Sequence, residues 1–121
     1  MKWSIQQLRK LPTPYHFSDT IDFSEWIKSV DDIISIDKVE VTGDISKIDE
    51  ETFRFVYQFV ANMELQCALT LRPVPYVIDL TCDEVYSKVD SDDYFLIEKN
   101  TVDLDEMVWT NILLEKPINV T

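Results

Sequence analysis

Cys67, Cys82 and His16 are the side chains best suited to chemistry in this 121-residue sequence, and His16 is its one histidine. Cysteine hydrolases need a base beside the thiol, so Cys67 with His16 is the dyad to weigh. The apolar pattern around Cys67 argues against it. Leu65, Cys67 and Leu69 share one phase of an alternating run, which turns Cys67 toward a core. A cysteine there behaves as a small hydrophobe with a raised pKa. His16 falls inside another alternating run and reads as a half-exposed strand residue.

Metal chemistry has little support. Structural zinc wants four Cys or His ligands in short paired spacings, and this chain offers three such residues, far apart. The acid-rich "DLTCDE" and "DSDD" stretches lack the glycine and terminal glutamate of a calcium loop. The single glycine, Gly43, excludes Gly-rich phosphate cradles. No catalytic residue, metal ligand or cofactor is assigned.

The remaining candidates are contacts. Lys2, Trp3, Arg9 and Lys10 form a basic, aromatic N-terminal corner that could stack on RNA or touch a protein. Trp26 and Trp109 read as packing residues. Arg72, beside Pro73 and Pro75, is the exposed position of the central "LQCALTLRPVPY" stretch.

Charge narrows the partners. Residues 1–48 carry six Lys/Arg against eight acids, and residues 49–121 carry five against fifteen, giving −12 overall. Such a chain repels nucleic acid, whose binders neutralise phosphates with Lys and Arg. DNA is excluded as a partner, and direct RNA contact is left to a local patch. The acidic half suits a basic protein. No apolar run is long enough to span a bilayer and no signal pattern opens the chain, so a cytoplasmic location is expected.

The elements that must position these residues follow from patterning. Ser4 with Gln7 three residues on suggests a capping box and a short opening helix or a mixed entry segment, ended by Pro12 and Pro14. Residues 15–23 alternate as a strand, and Ser24 is expected to cap a turn over 24–30 with Trp26, Ile27 and Val30 inward. Residues 33–41 form a strand whose apolar phase slips, so one extra residue is expected near Asp37–Lys38. "TGD" at 42–44 reads as a turn or strand exit. From Phe53 to Leu71 every odd position is apolar. That run would extend about 60 Å at ~3.3 Å per residue, so it must bend, or break into a hairpin near Ala61–Glu64. Residues 74–82 alternate on even positions, 83–93 read as a solvated acidic loop, and 94–97 as a short strand. Residues 103–116 are a helix capped by Asp103, with Leu104, Met107, Val108 and Ile112 at helical spacing, followed by Leu114 or Glu115.

These segments are similar to Gram-positive members of the YceD family, the large ribosomal RNA subunit accumulation proteins. The likeness runs through "MKWSIQQLRKL", the F-x-x-T-I-D-F strand Phe17–Phe23, and Met63, Leu65, Cys67, Leu71, Pro73 and Val74 of the centre. It continues through Val102–Glu106 into Ile112–Pro117. The resemblance covers essentially the whole chain. It implies a non-enzymatic factor supporting large-subunit rRNA accumulation through a large-subunit ribosomal protein or pre-ribosomal particle. Many relatives place a second cysteine where Thr70 stands, and usually continue into a cysteine-rich tail. The sequence ending at Thr121 is expected to be a shortened or tail-less form, so no metal role is carried over.

The expected fold is one α+β domain over 1–121: a curved, mostly antiparallel sheet or partly closed barrel, with the C-terminal helix packed on it. Two other functions fit: a small hydrolase or ligand-binding barrel with Cys67 and His16 near a pocket, and a general protein-interaction adaptor. A filled interior along the odd positions of 53–71 would remove the pocket.

Overall fold

A computed structural model describes residues 1–117, so the end of the expected domain lies outside the described residues. The elements are β1 (Lys2–Ser4), α1 (Ile5–Lys10), β2 (Tyr15–Ile21), a 3-10 turn (Trp26–Ser29), β3 (Ile33–Ile36) and β4 (Val39–Asp49). There follow β5 (Thr52–Gln66), β6 (Pro73–Ser87), β7 (Phe95–Leu96), β8 (Thr101–Asp103) and α2 (Leu104–Glu115). The main sheet runs β2-β4-β5-β6-β7, with β3 also on β5; β1 and β8 form a separate pair. The class is α+β. The sheet is open, since its end strands β2 and β7 do not pair among the described residues, so of the two expected forms the mostly antiparallel sheet stands and the partly closed barrel is corrected. Only β6–β7 is parallel within it.

The period-two pattern of 53–71 becomes β5, the strand on which the domain is built. Phe53, Phe55, Tyr57, Phe59, Ala61, Met63 and Leu65 are all buried in one core, so the sheet's inner face is filled. Each large side chain buried this way contributes roughly 1.5–3 kcal/mol of transfer free energy. The strand does not break at 61–64. Its neighbour breaks instead: β3 and β4 both lie along the same side of β5. Ile36 pairs with Met63 and Glu40 with Val60, so the three residues between Ile36 and Glu40 oppose two of β5. That is the extra residue expected at Asp37–Lys38. It lets a long strand stay continuous while the adjacent one shifts phase. A second irregularity between Ile33 and Ser35 leaves Ile33 buried and Ile34 exposed.

Several expectations fail for local reasons. Residues 42–44 are mid-strand rather than a turn. Gly43 pairs with Phe17 on one side and Tyr57 on the other. A Cβ there would lie 2.6 Å from Tyr57 Cβ and 2.8 Å from Phe17 Cζ, so the glycine makes room for two aromatics. Leu69 and Leu71 leave the buried phase and are 79% and 65% exposed, because β5 ends at Gln66 and 67–72 form a hairpin loop. In that loop Leu71 takes a left-handed φ of 61°. Residues 83–87 belong to β6, paired with β5 as far as Ser87 with Thr52, so the acidic loop starts only at Lys88. The 94–97 strand is reduced to Phe95–Leu96. Ser24 makes no cap; Glu25 holds that position without a side-chain bond.

Both helices start as their sequences indicate. Ser4 Oγ accepts from Gln7 N, and Gln7 Oε1 accepts from Ser4 N, closing the capping box of α1. Asp103 caps α2 by accepting from Asp105 N. Leu104, Met107, Val108 and Ile112 of α2 enter the core, whereas Leu114 is exposed.

Candidate functional site

The proposed contact residues do not converge. Lys2 is exposed and its Nζ lies 3.8 Å from Asp103 Oδ2. Trp3, expected at the surface, is 7% exposed and packs on Phe17 and Phe55 at centroid distances of 5.4 and 5.6 Å. Those partners are far apart in sequence, and Trp3 meets them from β1, where it pairs with Val102 of β8. Arg9 turns to the β4–β5 turn, where Nε donates to the Glu50 carbonyl at 2.8 Å. Lys10 is exposed on α1. Arg72 is exposed in the 67–72 loop with Leu71, at the opposite end of β5, and Pro73, exposed, and Val74, half-buried, open β6. The 15 residues of β5 lie between the turn that Arg9 contacts and the loop that carries Arg72.

Cys67 and His16 are likewise apart. His16 is exposed on β2, Nδ1 3.1 Å from Asp44 Oδ1. It stands in register with Asp44 and, beyond it, Val56. The ten residues from Val56 to Gln66 span roughly 33 Å at ~3.3 Å each. Cys67 is covered by its own loop and lies outside the main core cluster. Its thiol is held below the ordinary value by the Thr70 hydroxyl and by the backbone N–H groups of Thr70 and Leu69, contrary to the expected upward shift. Burial pushes the Cys82 thiol up.

One site does assemble, and two of its residues, Glu84 and Tyr86, come from the stretch first assigned to a loop. A groove of about 540 Å³ lies between β6–β7, the 97–103 segment and α2. At its inner side, Glu84 of β6 receives two phenols on Oε1: Tyr57 at 2.6 Å and Tyr86 at 3.2 Å. Asn111 of α2 donates to Tyr57 Oη at 2.9 Å, to the Met107 carbonyl at 3.0 Å, and to Glu84 Oε2 at 3.3 Å. Burial, reinforced by Glu84, pushes the pKa values of both Tyr57 and Tyr86 well above the ordinary phenol range. The ring of Tyr86 stacks on Phe95 at 5.1 Å and 23°. Phe95 is 52% exposed and forms an aromatic wall. Glu98, Asp103 and Glu106 add carboxylates to its lining, which also holds Lys2 and Lys99. Neither this groove nor a smaller hollow of about 230 Å³ beside Asp37 and Asn62 includes Cys67 or His16.

The one sequence signal for this site was the even phase of 74–82. Continued four residues, it places Glu84 and Tyr86 on the inner face of β6. The outer face of the sheet is polar. Arg54 and Asp83 pair there across β5 and β6, which holds the Asp83 carboxyl below its usual range.

No protein-family model matches the chain, and no solved structure matches it. The uncharacterized protein YlbN of Bacillus subtilis (strain 168) is 31% identical over 126 aligned positions, which span 99% of this chain and 73% of that protein. The chain therefore belongs to the same family as YlbN.

Proposed function

We propose that the protein is a non-enzymatic, cytoplasmic factor that supports accumulation of large-subunit ribosomal RNA by binding a basic ribosomal protein or pre-ribosomal particle. The observation that carries this reading is the charge. Ribosomal proteins are basic. This chain holds −12, most of it in the half that builds β5, β6 and α2, with carboxylates bordering its main groove. Opposite charge at such a surface steers encounter and selects partners. The YceD-like segments agree with it: Phe17–Phe23 covers the end of β2, Met63–Val74 the β5–β6 hairpin, and Val102–Pro117 runs from β8 through α2. The separation of Cys67 from His16 and the filled inner face weaken the hydrolase or ligand-barrel alternative. Among the described residues, no helix is long and apolar enough to cross a membrane.

Affinity purification of the tagged full chain from its native host tests the reading. Large-subunit ribosomal proteins or pre-ribosomal rRNA should co-purify. Loss of both sinks the proposal, and recovery of a defined non-ribosomal complex would establish a general adaptor instead.

A further inference from the structure

We propose that the groove between β7 and α2 is a docking site for an arginine side chain carried on a basic segment of a partner protein. This rests on the ribosomal-partner reading and adds the place and chemistry of contact. Four carboxylates border the groove, Glu84, Glu98, Asp103 and Glu106, against the ammonium groups of Lys2 and Lys99. Lys2 leans on Asp103. Among the described residues, Glu84, Glu98 and Glu106 take part in no ion pair.

Glu84 is the informative one. Its Oε1 is filled by two phenols, but Oε2 receives only the long 3.3 Å contact from Asn111, whose amide also serves two other acceptors. A carboxylate has room for about four donors, so Oε2 can take an incoming N–H. A half-buried carboxylate without a cation also bears a desolvation cost that a cation relieves.

The adjoining wall selects the kind of cation. The Tyr86–Phe95 stack ends at the Tyr86 hydroxyl, which touches Glu84. A planar guanidinium lying along this stack finishes beside the carboxylate. Arginine satisfies both features at once, stacking on the ring face and donating in a fork, where lysine offers a compact and strongly hydrated point charge. An RNA strand would bring phosphates to a net-negative rim.

The test uses the full-length protein with hexa-arginine, hexa-lysine and oligouridylate, read by calorimetry and backbone amide NMR. Hexa-arginine should shift the amides of Glu84, Tyr86, Phe95, Glu98 and Asn111 and bind more tightly than hexa-lysine. Glu84→Gln and Phe95→Ala should each weaken it about tenfold, as an anchor contact does. Glu40→Gln, the same charge change on the outer face, should cost about twofold or less, as an exposed charge does. Thermal melts check that each variant folds. Phe95 is largely exposed, so Phe95→Ala decides the matter if Glu84→Gln is unstable. Equal losses for Glu40→Gln and the groove variants overturn the proposal. So do shifts scattered over the acidic surface, hexa-lysine binding as tightly as hexa-arginine, or oligouridylate occupying the groove. The parent reading is separable. If the wild type recovers large-subunit proteins and Phe95→Ala recovers them equally, the groove assignment fails alone. If the groove binds hexa-arginine and the wild type recovers no ribosomal component, the ribosomal reading fails alone.

Discussion

Gly43→Ala is the substitution that most sharply separates a mid-strand glycine from a turn glycine. The added Cβ would meet Tyr57 Cβ at 2.6 Å, the Val56 carbonyl at 2.7 Å and Phe17 Cζ at 2.8 Å. Phe17 Cζ is the far end of a side chain and can give. The other two atoms belong to β5 itself, whose Tyr57 is 1% exposed, and they cannot move without shifting the strand. Overpacking of this kind costs about 1–3 kcal/mol, and two fixed contacts put the cost near the upper end. Restricting the unfolded chain returns about 0.4–1 kcal/mol, leaving a net loss of roughly 2 kcal/mol. For a domain of this size the unfolding entropy is ~0.25 kcal/mol/K, so Tm should fall by about 8 °C. Circular-dichroism melts and urea titrations measure it. A Tm equal to or above wild type would show that Gly43 is not closed over by Phe17 and Tyr57, and the strand register would have to be redrawn.

Three other outcomes follow from the same structure. Trp3→Ala should cost about 3–5 kcal/mol, because the indole fills the space over Phe17 and Phe55; a variant of unchanged stability would return Trp3 to the surface as a stacking residue. Tyr57 and Tyr86 keep their protons in the folded state beyond the ordinary phenol range, so the unfolded chain releases protons first and stability should fall as pH rises above ~10. Urea unfolding between pH 8 and 11 should show a shallower fall for Tyr57→Phe/Tyr86→Phe, and parallel curves would contradict the buried pair. Cys67 and Cys82 are each 7% exposed, so their opposite pKa shifts decide reactivity. Iodoacetamide at neutral pH should modify Cys67 first, and Thr70→Val should slow it; faster labelling of Cys82, followed by mass spectrometry, would refute the assignment.

Local chemistry made the helices legible. Ser4 with Gln7 and Asp103 at the start of α2 form their caps from neighbouring residues. The odd phase of β5 and the extra residue at Asp37–Lys38 were legible because side chains alternate strictly across a sheet. Contacts remote in sequence were not. Gly43 looks like turn punctuation until Phe17 and Tyr57 close over it from two strands. Trp3 beside Lys2 looks exposed until Phe17 and Phe55 arrive beneath it. The groove needs Tyr57, Glu84, Tyr86 and Asn111 from three elements, and the acids flanking Glu84 disguised the end of β6 as a solvated loop. Sheet closure depends on whether β2 and β7 meet, which no pattern within either strand encodes.

The most direct test of the proposed role is the ratio of large- to small-subunit ribosomal RNA in the native host after depletion of this protein. The ratio should fall and recover when the wild-type chain is restored, whereas a ratio unchanged by complete depletion would contradict the account.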